Sequence, residues 1–319
     1  MGFKVLGIAA GRHDGNGEIL LKEALTAVEE AGGEALMINL FDYNILHCTG
    51  CEGCTKQMGA VAMDPTKKYK GCILRDKDDM DKIVNVMQTC QGVIVACPTY
   101  DLTPSSLYLK FAQRFLAYEL AFRLSIGEVK EDPHTVAGLI AVGGSCRDWQ
   151  TMTLEAMGAT MFTQSLNVVD RMMATRDGIP GNVLIRPEQI ARARKMGENI
   201  AKAINTPVAE RVWLGDEHDG ICPRCHSSLV FPGEEHWDGI KFNFECAVCG
   251  AGGDMVFDEE TGRADFVLAE NGLIRDRNIN EARAEHLDEI TKTRMDFLAR
   301  IGEVQEEYAK YKAKKFPAI

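Results

Sequence analysis

Eight cysteines carry most of the chemistry this chain could do: Cys48, Cys51, Cys54 and Cys72 in one stretch, and the pairs Cys222/Cys225 and Cys246/Cys249 in another. Grouped thiols either cross-link or bind soft metals, and the compartment decides which. The N-terminus MGFKVLGIAAGRHDG passes from a short apolar run straight into a glycine loop, without the hydrophobic region and cleavage site of a secretion signal. A cytoplasmic protein with free, metal-ligating thiols is therefore expected.

The two groups differ in spacing and hence in chemistry. In HCTGCEGC, three cysteines recur every third residue, a local cage suited to successive corners of a 4Fe-4S cluster, with Cys72 of GCILRDKDDM as the fourth ligand. Zinc on the same residues, or a protein that has lost its cluster, are the alternatives. The second group reads C-x2-C, twenty residues, then C-x2-C, which is a closed tetrahedral four-thiolate site. Zinc there would be redox-inert and structural, whereas iron would make a rubredoxin-like one-electron carrier. His226 after the first knuckle and Pro223 within it depart from the rubredoxin pattern and favour zinc, although four thiolates alone do not select the metal. Cys90, Cys97 and Cys146 have no paired neighbour in sequence and read as small hydrophobes.

Composition narrows the function classes. With 319 residues, 45% of them hydrophobic, the chain can bury a full core, and a net charge of -11 argues against a nucleic-acid groove. No apolar run is long enough for a bilayer span. Neither a Gly-x-Ser-x-Gly elbow nor a His-Glu-x-x-His helix occurs, so hydrolase chemistry has no support.

The elements that must position these thiols follow from periodicity. Apolar runs at Phe3 to Ala9, Glu34 to Leu40, Gly92 to Cys97, Thr135 to Val142 and Gln164 to Asp170 predict strands. Between and after them, Glu18 to Ala31, Asp78 to Cys90, Ser105 to Ala121, Trp149 to Ala159 and Pro187 to Asn205 predict helices, and the cysteine loop 47–75 interrupts the second unit. This is an α/β, flavodoxin-like, doubly wound five-stranded parallel sheet over 1–206, whose ligands bind beyond the carboxyl ends of the strands. A small metal-stapled β module is expected at 207–278, since so short a piece needs a staple. An amphipathic helix at 279–319, serving packing or subunit contact, closes the chain.

The first strand ends in AAGRHDGNGE, a glycine turn opening a helix, which presents backbone N–H groups to a phosphate but lacks both dinucleotide and P-loop spacings. Together with PTYDLTPSS after the third strand and VGGSCRDWQ after the fourth, it resembles the NADPH-dependent FMN reductases, and the cysteines before DDM resemble their iron-sulfur flavoprotein branch. The resemblance covers about two thirds of the chain. It implies an FMN phosphate loop at Ala10, Gly11, Arg12, Gly15, Asn16 and Gly17, with Ala10 and Gly17 standing where the family has hydroxyl residues, so that backbone amides, Arg12 and Asn16 take the load. It implies a ring-side segment at Pro98, Thr99, Tyr100 and Asp101, with Ser105 and Ser106 opening the next helix, and a third loop at Gly143, Gly144 and Ser145. The family's last cluster cysteine lies closer to the third than here, where seventeen residues separate Cys54 from Cys72.

FMN exchanges electrons in pairs or singly and an iron-sulfur cluster only singly, so a chain holding both would convert between two-electron and one-electron carriers. The expected function is an electron-transfer flavoprotein or reductase serving a one-electron carrier protein such as a ferredoxin, with NAD(P)H as a possible donor. An NAD(P)H-dependent FMN or quinone reductase without a cluster, and a metal-stapled interaction protein, are the alternatives. The resemblance further implies a homodimer or homotetramer, while the acidic charge and the lack of a long apolar run predict no nucleic-acid or membrane partner.

Overall fold

The computed structural model describes residues 2–218 and 220–317. Strands β1 (Lys4–Ala9), β2 (Glu34–Asn39) and β3 (Gly92–Tyr100) are joined through helices α1 (Asn16–Glu30), α2 (Gly53–Met63) and α3 (Met80–Met87). A two-residue β4 (Thr103–Pro104) follows, then α4 (Ser106–Ala112), α5 (Leu120–Ser125), β5 (Val136–Val142), α6 (Thr151–Thr160), β6 (Asn167–Ala174) and α7 (Pro187–Ile204). The parallel strands lie in the order β2-β1-β3-β5-β6, as expected for this architecture, and β4 adds an antiparallel edge to the end of β3. The central strands are apolar on both faces because helices cover both. Leu6, Ile8, Val93 and Val95 meet α3, α4 and α6 on one side; Val5, Ile94 and Ile140 meet α1 and α7 on the other. The α1–α7 contact is close enough that a Cβ at Gly197 would fall 2.0 Å from the Ala24 carbonyl oxygen.

Four expected boundaries move, each for a tertiary reason. Strand β3 runs on to Tyr100 because β4 pairs with its last two residues. Strand β6 starts at Asn167 because Gln164 turns inward to donate to the carbonyls of Phe115 and Tyr118, and Ser165 takes a left-handed φ of 50°. The helix expected from Ser105 to Ala121 breaks after Ala112, where Arg114 is buried against Asp78, and restarts after Glu119, which caps α5 and pairs with Arg283. The terminal helix is two, α8 (Asn280–Ala299) and α9 (Ile301–Ala313), parted at Arg300.

Between α7 and α8, strands β7 (Val230–Pro232), β8 (Phe244–Cys246), β9 (Gly252–Asp258) and β10 (Arg263–Leu268) form an antiparallel sheet in the order β10-β9-β8-β7. Its core consists of the four cysteines with Val248, Ala251 and Phe266, and Phe162 from the main sheet's side completes it. No helix among the described residues is long and apolar enough to cross a membrane.

Candidate flavin cleft and metal centres

A cleft opens at the carboxyl edge of β1, β3 and β5, lined by Gly11, Arg12, Gly15, Asn16, Gly17, Pro98, Thr99, Tyr100, Gly143 and Gly144. It continues into a second hollow bounded by Thr99, Asp101, Leu102, Gly144, Ser145, Trp149 and Gln150. All three loops expected from sequence thus converge. Two glycines are sterically required here: a Cβ at Gly11 would meet Pro98 Cγ at 2.9 Å, and one at Gly143 would meet Gln150 Oε1 at 2.2 Å. Gln150, itself buried, donates to the carbonyls of Ser145 and Ala174 and so fixes the third loop. No side chain caps the N-terminus of α1, whose Gly15 is extended, so the first-turn amides remain free for an anion. This end of the cleft fits the phosphate of FMN.

Three expected residues act differently from the resemblance. Ala10 is buried, its N–H donating to Ala96 and its carbonyl accepting from Ser105 Oγ at 2.6 Å. Ser105 is buried too, capping α4 by accepting from Tyr108 N, so both stand behind the cleft as framework. Asn16 has its amide nitrogen committed to the carbonyls of Asp177 (2.7 Å) and Ile179 (2.8 Å), and its oxygen accepts from Val183 N. Its role is to hold a fourth loop after β6, whose Asp177 and Gly178 reach the cleft. This loop lies outside the site residues expected from sequence, although the turn residues of RDGIPGN could have marked it. Arg12 points at the same loop, donating to Gly178 O, and its exposure leaves it able to turn to a phosphate. Glu18, buried at the cleft's edge, accepts from Asn39 Nδ2 and Asp14 N and pairs with Lys22. Burial pushes its carboxyl up, but the bonds from Lys22, Asn39 and Asp14 outweigh it and hold the group below the usual range.

The cysteine loop leaves the same sheet edge after β2 and is clipped at its base. Asp78 accepts from Leu46 N and pairs with the buried Arg114, which also donates to Leu46 O; Asp79 exchanges bonds with Asn44. The DDM segment thus closes the loop, and the insertion that separates Cys72 from Cys54 is spanned by a single side chain. Gln57 of α2 donates to Gly53 O and Gly71 O and accepts from Lys70 N, bringing Cys72 back to the helix that carries Cys54. Ile73 Cγ2 sits 2.9 Å, and Cys51 Sγ 3.5 Å, from where a Gly53 Cβ would be. Burial pushes the Cys54 thiol up, and Cys72 and Cys48 add to that rise, so the thiols share one electrostatic neighbourhood. Cys48 and Cys51 are exposed and Cys54 and Cys72 half-buried. These four thiols are not gathered round one point; among the described residues only the other four cysteines are.

Those four are Cys222, Cys225, Cys246 and Cys249, whose sulfurs lie within 4.8 Å of one another. Cys222 and Cys249 are 3.6 Å apart and Cys225 and Cys246 3.5 Å, close to the separation of about 3.8 Å that tetrahedral Zn–S bonds of 2.3 Å require. Neighbouring sulfurs force the thiols to share charge, holding Cys246 far down and Cys249 far up. One knuckle is bolted to the main sheet through Glu155 of α6, which accepts from Ser227 Oγ (2.6 Å) and Ser228 Oγ (3.0 Å) and pairs with Arg171 (2.9 Å). Spacing could not reveal this connection. His226 is not among the gathered donors; its ring stacks on Trp213 with centroids 4.0 Å apart.

Residues 3–173 match the NADPH-dependent FMN reductases. The chain is 26% identical over 288 residues to a flavone synthase of Aspergillus candidus, covering 85% of this chain and 83% of that protein. It is also 26% identical over 210 residues to an iron-sulfur flavoprotein of Methanocaldococcus jannaschii, covering 63% of this chain and 97% of that one. A solved flavone reductase shares the fold over 99% of both chains, with a TM-score of 0.76 at 23% sequence identity. The match spans the sheet whose loops build the cleft, and it makes this chain a member of the NADPH-dependent FMN reductase family, a flavin oxidoreductase.

Proposed function

We propose that the chain binds FMN along the cleft, takes reducing equivalents from NAD(P)H, and holds a 4Fe-4S cluster on Cys48, Cys51, Cys54 and Cys72 that serves a one-electron carrier protein such as a ferredoxin. When bound, FMN supplies two-electron hydride chemistry and one-electron release, and a cluster supplies one-electron steps alone. The residues do the positioning. The α1 amides and Arg12 bind the phosphate, Gly11 and Gly143 admit the cofactor to the backbone, and the Gln150 bonds keep the ring-side loop in place. The carrying observation is the Gln57 tether, which returns Cys72 to Cys54 across the insertion and so supports a four-cysteine ligand set on the sheet edge that also bears the cleft. The second four-cysteine site is assigned to structural zinc, with iron as the alternative.

Anaerobic purification with counts of iron, sulfide, zinc and FMN tests this directly. Four irons and four sulfides per chain, lost together in Cys72→Ser while FMN and zinc stay, are expected. Wild-type protein without sulfide would remove the cluster.

A second reading is favoured by coverage: the flavone synthase is matched over 85% of this chain and the iron-sulfur flavoprotein over 63%. Tyr100, Leu102, Trp149 and Met152 leave apolar surface exposed around the ring end of the cleft. Under this reading a planar aromatic acceptor stacks there and is reduced by hydride. NADPH-driven turnover of a quinone or flavone by Cys72→Ser protein at the wild-type rate supports it; turnover only with ferredoxin supports the first.

A further inference from the structure

Strand β3 returns into β4 through a turn of two residues, Asp101 and Leu102. The turn is closed by the pairing of Tyr100 with Thr103, whose Oγ1 donates to Tyr100 O at 3.4 Å. Both turn residues have positive φ, 47° at Asp101 and 69° at Leu102. Two-residue hairpins favour this double left-handed backbone because it matches the twist of the strands, and they fill it with Asn-Gly or Asp-Gly because a Cβ at the second position is crowded. Asp101 obeys that rule and Leu102 breaks it. Among the described residues, every other non-glycine residue with positive φ is polar or charged. Short polar side chains can bond to nearby backbone and lessen the strain, whereas leucine has no polar atom to do so.

Packing does not offset the strain. Leu102 is 47% exposed and belongs to none of the apolar clusters that fill the sheet and the module. It borders instead the outer hollow of the cleft, of about 360 Å³, where the other large apolar side chain is Trp149, 60% exposed. A strained backbone kept without a stabilising contact points to a ligand contact. We propose that Leu102 is a specificity-determining residue, held at the cleft mouth by the strained turn so that it and Trp149 contact a planar aromatic acceptor. The inference rests on the reading in which such an acceptor is reduced at this end of the cleft, and it names the side chain that selects it. An aliphatic tip gives nothing to a hydrophilic acceptor but removes apolar ring surface from water. Asp101, the one charged residue bounding the hollow, disfavours an anionic ring system, so the class selected is neutral.

Leu102→Gly and Leu102→Asn, each in the full FMN-loaded chain, test the proposal by moving stability and affinity in opposite directions. Both residues accept a left-handed backbone, so each variant should melt about 2 °C above wild type by dichroism. Each should also bind menadione roughly tenfold more weakly, read anaerobically from the change the quinone makes in the FMN absorbance of the oxidised protein. The KM for NADPH-driven reduction of menadione to its hydroquinone, one NADPH oxidised per quinone, should rise to match. Leu102→Met keeps an aliphatic side chain and should keep the wild-type affinity. A Leu102→Gly protein that melts below wild type shows that the leucine serves packing, and overturns the proposal. A Leu102→Gly protein that binds menadione as tightly as a menadione-reducing wild type overturns the inference alone. A wild type that passes electrons from NADPH to ferricyanide but none to menadione overturns the aromatic-acceptor reading, and this inference with it.

Discussion

Glu155 is where the metal module and the flavin domain can be prised apart. Its carboxylate is 8% exposed and faces Arg171, 6% exposed, at 2.9 Å, while accepting from the hydroxyls of Ser227 and Ser228 beside the first metal knuckle. Glu155→Ala leaves a buried guanidinium whose remaining anchor is its bond to His226 O, and breaking a buried pair from one side costs about 3–5 kcal/mol. For a chain of this size that lowers the melting temperature by on the order of 10 °C. Removing both charges in Glu155→Leu with Arg171→Met should recover much of the loss, because the penalty lies mainly in the orphaned charge. Because α6 follows the Gly143–Gln150 loop directly, Glu155→Ala should also release FMN more readily. Thermal melts followed by FMN fluorescence and by dichroism read both effects. A loss under about 1 kcal/mol, or a double variant no better than the single one, would refute the clamp.

Three further outcomes follow from the cleft and the module. Asn16→Ala should free the loop at Asp177–Val183 and lower stability by about 2–3 kcal/mol, whereas Arg12→Ala should leave the melting temperature alone and weaken FMN binding in titration about tenfold. Cys246→Ser should lose the module's metal, measured by elemental analysis, and raise protease sensitivity near 220–270. Glu18 has a folded pKa below its unfolded one, so its contribution is present above the ordinary glutamate range and is lost as pH falls through the lowered value. Acid release of FMN, followed by fluorescence, should therefore begin at a higher pH in Lys22→Met, which loses part of that depression.

The sheet was legible because its strands are buried on both faces and read as continuous apolar runs; five runs in sequence became five parallel strands of one sheet. Boundaries failed where a side chain had a distant obligation. Nothing in SSLYLKFAQRFLAYEL shows that Arg114 must reach Asp78 or Glu119 must meet Arg283, and those two pairs break the helix. The glycines of the cleft came with the glycine turn and the family resemblance, and the structure supplies their reason: the backbone needs room where Pro98 passes Gly11 and Gln150 passes Gly143. Asn16 was placed at the right loop, but its partners lie more than 160 residues away, and sequence spacing carries no trace of them.

The two thiol groups show the same limit at the level of chemistry. Cys222, Cys225, Cys246 and Cys249 declare themselves because two knuckles and a short sheet form a closed geometry with few solutions, and the structure gathers their sulfurs within 4.8 Å of one another. Cys48, Cys51, Cys54 and Cys72 need a loop to fold back across an insertion, and what folds it is the amide of Gln57 together with the Asp78–Arg114 pair that the DDM segment sets at the base. Spacing can name the ligands of a metal, but the side chains that bring those ligands together answer to the packing around them. The positioning residues Gln57, Gln150 and Glu155 are accordingly two uncharged amides and a buried acid, each identified by the groups it ties together.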